Sequence, residues 1–389
     1  MARKVKIGIF SVIEWGFLDQ RPQVIAKKLS EWGHDVFYFE PFFKLHQWND
    51  THEHPWSSYE NECWNAVDVY PNVKAATLMA LPAHKIIEGL LDNNQRYRNR
   101  NIDFIRKQDL DFAIVVDPYW GEVLSEIDIP FFYDHVDDTH QMEAVLKDRW
   151  FESQNYCDNH SMATFYIQPN IARRYNGLYI PNGIEPKQLD VKHKPPVDFD
   201  AGCLSAIADW FDIDSILGSN KRILIIGPME NTVREKYYQH KKDGGSNVYW
   251  IPRVSRNVGA HWLMRCATAM VPFKDEHPVV DYVMPLKLVE YLYLGLPSIC
   301  YLNKGIEEEF GDVVEFYSSL NWRNLPDLDD AIDGAISKNY SKRDLRLKAL
   351  NYTWDKVFNP MKSLIEYLDD SKVKTCDYPD LVKEYVRGL

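Results

Sequence analysis

The sequence predicts an α/β protein built from two Rossmann-like domains, and three observations carry that prediction. Short apolar runs rich in β-branched residues alternate with helical periods from residue 6 onward, the pattern of βαβ units around a parallel sheet. The chain has 389 residues, enough for two cores at roughly 150 residues each. A polar stretch with three prolines, residues 186–200, interrupts the rhythm and reads as a linker between a first domain (1–185) and a second (201–360).

Residues 6–12 are expected to form a buried strand. A helix follows from about Pro22 with Val24, Ile25, Leu29 and Trp32 on one face, and Gly33 ends it before a strand at 35–39. Further strands are expected at 73–78, 112–116, 131–133 and 163–167, with a polar helix at 88–108. After the linker, strands are expected at 203–206, 222–226, 248–251, 269–273, 298–302 and 313–317, and the clearest helix at 286–294. The chain turns helical again over 342–370, and residues 361–389 form a tail that packs back on the first domain.

The charge balance narrows the partners. Asp and Glu number 57 against 45 Lys and Arg, a formal charge of −12, which argues against nucleic acid as the default partner but leaves room for a local basic groove. The N-terminus has a basic start, but its apolar run is only about seven residues and lacks a cleavage site, so it does not read as a signal peptide. No stretch approaches the roughly 18 apolar residues of a spanning helix. A cytoplasmic protein is expected, with peripheral contact at a membrane left open. Six scattered cysteines without a C-x-x-C pair read as reduced thiols, and His52 and His54 next to Pro55 read as loop, so no metal site is expected. Aromatic residues make up 14% of the chain, and most of them are expected in the core.

The most informative segment runs from Pro272-Phe273-Lys274 through Met284-Pro285-Leu286-Lys287-Leu288-Val289-Glu290-Tyr291-Leu292 to Gly295-Leu296-Pro297-Ser298. It reads as a strand, a long loop and a helix with Pro285 in its first turn. The free N–H groups of that turn make an anion site, Lys287 adds a positive charge, and Glu290 shares the lysine's face three residues on. The pair suits a phosphate held by lysine and helix terminus, with the carboxylate accepting from ribose hydroxyls. It suits equally an ordinary ion pair on a surface helix.

Pro-Leu-Lys-Leu-Val-Glu-Tyr-Leu-x-x-Gly-x-Pro after a Pro-Phe strand resembles the donor-site signature of GT-B glycosyltransferases, particularly bacterial enzymes that build cell-surface polysaccharides. Other segments match in order over about residues 5–360. Gln20-Arg21-Pro22-Gln23 with Gly33-His34-Asp35-Val36 resembles the opening strand, loop and helix. Tyr133-Asp134-His135-Val136-Asp137-Asp138 resembles the Tyr-Asp-x-x-Asp-Asp element, and Ile180-Pro181-Asn182-Gly183-Ile184 the Pro-Asn-Gly turn. Residues 206–212 resemble the first loop of the second domain, and Leu224-Ile225-Ile226-Gly227-Pro228 the next strand.

The resemblance implies a GT-B fold, two Rossmann-like domains facing across a cleft, with a nucleotide diphosphate sugar, expected to be a UDP-sugar, held by the second domain. It implies an acceptor, a glycan or lipid-linked glycan, on the first domain, and no cofactor or bound metal, because helix dipoles and basic side chains neutralise the leaving diphosphate. Lys287 and Lys274 are the expected diphosphate contacts and Glu290 the ribose contact, with Pro285 and Leu286 at the helix start. Arg253 is expected near the base or phosphates, or simply solvated. Two positions depart from the pattern. Ser205 stands where the first loop of the second domain usually carries glycine, and its hydroxyl is available for a phosphate. Tyr282 stands where retaining members carry a glutamate, with Asp281 and Glu276 the nearest acids.

On the first domain, Asp137, then Asp138, are the expected general bases for the acceptor hydroxyl, with His135 competing, and at least one of the three is expected to cap the following helix. Glu14, Trp15 and Gly16, after the first strand, are expected to face the acceptor, with Trp15 stacking on a sugar ring or belonging to the core. A modified DNA base is the alternative acceptor, for which Arg96, Arg98, Arg100, Arg106 and Lys107 form the best local basic patch, unless they are a solvated helix face. A non-catalytic sugar-binding protein on the same scaffold is a third reading.

Overall fold

The computed structural model describes residues 4–16, 20–41, 63–79, 91–136, 147–189, 191, 195–277, 280, 282–320, 324–370 and 377–387. The chain divides into two compact units, one of Met1–Ile180 with Asn359–Leu389 and one of Pro181–Phe358. The change of unit thus falls at Ile180, ahead of the segment expected to link the domains. Within 186–200, Pro186–Leu189 is a 3-10 turn of the second unit with Leu189 buried, and Phe199 already opens a strand.

The first unit runs β1 (Lys6–Phe10), α1 (Arg21–Glu31), β2 (Asp35–Pro41), β3 (Val67–Tyr70), β4 (Val73–Leu78), α2 (Leu91–Arg106), β5 (Phe112–Val115), α3 (Tyr119–Glu126), β6 (Phe131–His135), α4 (Lys147–His160), β7 (Thr164–Tyr166), α5 (Pro169–Arg174) and β8 (Leu178–Tyr179). Among the described residues the sheet order is β3-β4-β2-β1-β5-β6-β7-β8, parallel except for the antiparallel β3–β4 pair at the edge. The direction of strand addition reverses between β1 and β5, which makes their carboxyl ends the switch point where α/β sheets take ligands. The middle strands are buried on both faces, and Phe10 stacks on Phe39 with centroids 4.6 Å apart.

The second unit runs β9 (Phe199–Leu204), α6 (Ile213–Gly218), β10 (Ile223–Ile226), α7 (Asn231–Lys242), β11 (Val248–Ile251), α8 (Arg256–Leu263), β12 (Cys266–Val271), α9 (Leu286–Tyr293), β13 (Ser298–Tyr301), α10 (Lys304–Phe310), β14 (Val314–Tyr317), α11 (Leu328–Ser337), α12 (Lys342–Ala349) and α13 (Trp354–Val357). Its described strands are all parallel, in the order β11-β10-β9-β12-β13-β14, with the switch point between β9 and β12. The helix expected over 342–370 is broken, because Thr353 is extended (φ −71°, ψ 148°). There it bridges to Ile184, and Trp354 lies so close to Gly183 that a Cβ on the glycine would sit 2.8 Å from the indole. That contact is why the Pro-Asn-Gly turn needs its glycine.

The chain then returns to the first unit as α14 (Asn359–Asp370) and α15 (Tyr378–Arg387), where the buried Tyr378 packs edge-on to Phe112 with centroids 6.3 Å apart. The twelve largest fully buried described side chains are all Tyr or Phe, so much of the aromatic content is core. Cys63, Cys157, Cys203, Cys266 and Cys300 are buried free thiols. No described helix is long and apolar enough to cross a membrane.

Candidate functional site

In the second unit, the loops leaving β9, β10 and β12 converge at the switch point. Ser205 N–H donates to Ile226 O (2.9 Å), and the loop after β9 approaches Gly227 so closely that a Cβ there would lie 1.8 Å from Ser205 O. Gly227 also has φ +139°, a conformation other residues rarely adopt, so the Ile-Ile-Gly-Pro sequence is required twice over. The Ser205 hydroxyl donates to Ala206 O at 2.7 Å and is spent on the loop's own backbone.

α9 opens toward this edge. Pro285 is extended (φ −70°, ψ 116°) and is the residue before the helix, one position earlier than expected, and no side chain caps the terminus. Leu288 N–H donates to Pro285 O (3.1 Å), and the Leu286 and Lys287 N–H groups ahead of it are left for an anion. The preceding loop is held by protein contacts: Asn303 donates to Val280 O, Tyr301 Oη to Val283 O (3.1 Å) and Asn182 Nδ2 to Met284 O (3.4 Å). Tyr282 sits half-buried in that loop, with Leu286 half-buried at the helix start.

Glu290 is only 4% exposed, one turn inside α9. Its ion-pair partner among the described residues is Arg256, whose Nε lies 3.2 Å from Oε1. Burial pushes the Glu290 carboxyl above its ordinary range, and Arg256, then Lys287, pull it back. Burial likewise pushes the Lys287 ammonium below its ordinary value against the pull of Glu290. A half-buried ammonium that burial disfavours, at a helix start no side chain caps, is suited to an anionic ligand.

Lys274 follows β12, and its N–H donates to Trp210 O (2.9 Å), tying it to the loop after β9. Next to it, Asp275 Oδ2 accepts from Ser318 Oγ (2.6 Å) and Ser319 Oγ (3.2 Å), which anchors the loop to the end of β14. Arg253 is exposed between β11 and α8. The nearer base, Arg256, was missed by sequence reasoning, since one arginine at a helix start carries no signal until the fold sets α8 beside the glutamate. Asp281 lies outside the described residues.

In the first unit, two of the family-like segments turn out to be one contact. Arg21 (5% exposed) grips Asp134 (0%) in a buried bidentate pair, Nη2 to Oδ1 at 2.7 Å and Nε to Oδ2 at 2.8 Å. The aspartate within Tyr-Asp-His is thus structural, locking the end of β6 to the start of α1. His135 follows it, flanked by the Tyr133 and Tyr166 rings, with Nε2 2.5 Å from Gln154 Nε2 and Nδ1 3.5 Å from Asp158 Oδ1. Both of its ring nitrogens face protein groups. Asp137 and Asp138 lie outside the described residues, as do His52 and His54.

Asp117, which sequence reasoning did not single out, follows β5 beside the switch point. Its N–H donates to Phe10 O at the end of β1 (3.1 Å), its Oδ1 accepts from Tyr119 N–H (3.2 Å), and burial pushes its carboxyl up to about 6. Such a shift at a strand's carboxyl end marks an acid–base candidate. Trp15 and Gly16 lie in the adjoining loop. Trp15 is half-buried, edge-on to Tyr38 (5.2 Å) with Lys27 Nζ 5.6 Å over its ring, and its N–H donates to Glu40 Oε2 (2.7 Å). Glu14 O accepts from Gln23 Nε2 (2.8 Å), and Gly16 is exposed. On α2, Arg98 pairs with Glu126 and the Arg100 guanidinium stacks 3.8 Å over Trp64, while Arg106 and Lys107 are exposed and the Arg96 side chain lies outside the described residues.

Neither a protein-family model nor a curated protein matches the sequence. Solved structures do match. Sucrose-phosphate synthase from Thermosynechococcus elongatus aligns over 95% of this chain and 100% of its own at TM-score 0.67 and 12% identity. The apo form of the lipopolysaccharide outer core galactosyltransferase WaaB aligns over 95% and 100% at TM-score 0.61 and 13% identity. A trehalose-6-phosphate protein of E. coli bound with UDP-2-fluoro glucose aligns over 99% of each chain at TM-score 0.59 and 10% identity. The chain has the fold of the GT-B glycosyltransferases.

Proposed function

We propose that this protein is a glycosyltransferase that moves a sugar from a nucleoside diphosphate sugar, a UDP-sugar, to a hydroxyl of a glycan or lipid-linked glycan. The observation that carries the reading is the start of α9, where uncapped N–H groups, Lys287 and the buried Glu290 meet at the switch point of a GT-B second unit. The N–H groups and Lys287, with Lys274, hold the diphosphate, and Glu290 accepts from the ribose hydroxyls. As the bond from the sugar's anomeric carbon to the diphosphate breaks and the glycosidic bond forms, the acceptor hydroxyl's proton passes to a base and the nucleoside diphosphate leaves. Asp117 at the switch point of the first unit joins Asp137, Asp138 and His135 as a candidate for that base. The reading needs no metal, because the helix terminus and the lysines neutralise the leaving group.

A DNA acceptor gains no support from α2, where Glu126 and Trp64 take up two of the arginines. A thermal-shift screen against UDP, GDP, ADP and their sugars tests the donor reading. A ligand at about 100 times its Kd stabilises by about 2.7 kcal/mol, so UDP or a UDP-sugar should raise the melting temperature, and Lys287→Ala or Glu290→Ala should shrink that rise. If no nucleoside diphosphate shifts the wild type, the donor reading is wrong. Donor hydrolysis by the wild type would exclude a purely binding role.

A further inference from the structure

We propose that Arg256 and Gln188 are positioning residues that hold Glu290 for the donor's ribose, so that the turn following the chain's entry into the second unit is part of the nucleotide site. This rests on the donor reading above and adds two residues that it does not assign. Arg256 lies at the start of α8 and reaches Glu290 Oε1 through Nε at 3.2 Å. The same guanidinium donates through Nη1 to Gln188 Oε1 at 2.9 Å. Gln188 belongs to the turn Pro186–Leu189, and that turn packs on both α8 and α9. The fork of the guanidinium is thereby fixed at both ends, one nitrogen on a neutral amide and another on the carboxylate. A planar donor gripped at two points orients its partner in a way that a flexible lysine does not.

The arrangement answers a problem that burial creates. A carboxylate with 6% of its side chain exposed must keep its charge to accept from two vicinal hydroxyls, and burial alone favours its protonated form. Of the charged groups facing Glu290, Arg256 comes from α8 and Lys287 from its own helix. Lys287 is needed for the diphosphate, so Arg256 is the counter-charge that stays with Glu290 throughout. The other titratable groups around the pair, Cys203 at the end of β9 and Tyr291 on α9, are buried and stay neutral, with Cys203 pushed up to about 12.

The test is calorimetric titration with whichever of UDP, GDP or ADP binds the full-length wild type, on Arg256→Ala, Arg256→Lys, Gln188→Ala, Glu290→Ala and the Arg256→Ala/Glu290→Ala double variant. Arg256→Ala should raise the Kd more than about tenfold, because the buried carboxyl left without the guanidinium favours its protonated form. Arg256→Lys should keep the charge and lose only about threefold, and Gln188→Ala should lose about as much. In the Glu290→Ala background, Arg256→Ala should cost nothing further, because the two act as one unit. Arg256→Lys and Gln188→Ala leave the carboxylate its partner, so they report even if Arg256→Ala fails to fold. Equal losses from Arg256→Ala in both backgrounds, or an unchanged Kd in Arg256→Lys and Gln188→Ala, would overturn the proposal while leaving the donor reading intact. A wild type that binds no nucleoside diphosphate would overturn both.

Discussion

Replacing Asp117 with asparagine should make the protein more stable at alkaline pH and leave it nearly unchanged in acid. The folded unit holds this carboxyl at about 6 against an ordinary 3.8, because burial disfavours its charge. A raised carboxyl binds its proton more tightly in the folded state, so stability is complete below about pH 3.8 and falls as pH climbs through about 6. A rise of about two, at about 1.4 kcal/mol each, amounts to about 3 kcal/mol lost by pH 8. Asparagine keeps the acceptor for Tyr119 N–H, bonded now at 3.2 Å, and carries no charge to bury. Urea denaturation at about pH 3 and about pH 8 should show the variant's gain growing by about 3 kcal/mol between the two. Equal differences at both pH values would refute the burial argument. If Asp117 is also the acceptor's base, transfer should collapse in the same variant that gains stability, the usual opposition between a strained site and a stable fold.

Other substitutions probe the scaffold. Gly227→Ala puts a methyl 1.8 Å from Ser205 O at φ +139°, so it should cost more than about 2 kcal/mol by denaturation and weaken nucleotide binding through the loop after β9. Arg21→Ala strands the fully buried Asp134 carboxylate and should cost about 3–5 kcal/mol by urea unfolding, whereas replacing both residues with Met and Leu should recover most of that loss.

The α/β rhythm was legible because central strands such as Phe112–Val115 and Ile223–Ile226 are uninterrupted apolar runs, and the strands at Val73–Leu78 and Val248–Ile251 lie where the sequence put them. Reading failed where a strand opens on weak formers. Phe199–Leu204 starts with Phe-Asp-Ala-Gly, which hid its first half and pushed the expected strand to 203–206. The short edge strands Val67–Tyr70 and Leu178–Tyr179 left no pattern long enough to register. Lys287 and Glu290 were visible because their spacing is local. Arg256 and Asp117 were not, since their meaning comes from which strands neighbour one another: the order β11-β10-β9-β12 carries α8 toward α9, and β5 beside β1 turns an ordinary Val-Asp-Pro into a switch-point carboxyl. The Arg21–Asp134 pair, 113 positions apart, shows the same limit.

Whether a nucleoside diphosphate seats at the start of α9 is decided by hydrogen exchange with and without saturating UDP. Exchange should slow at Leu286 and Lys287, in the loop at 204–207 and around Gly227, and should not slow in Lys287→Ala at the same UDP concentration. Protection confined to the first unit, or none on α9 despite binding, would contradict that seating.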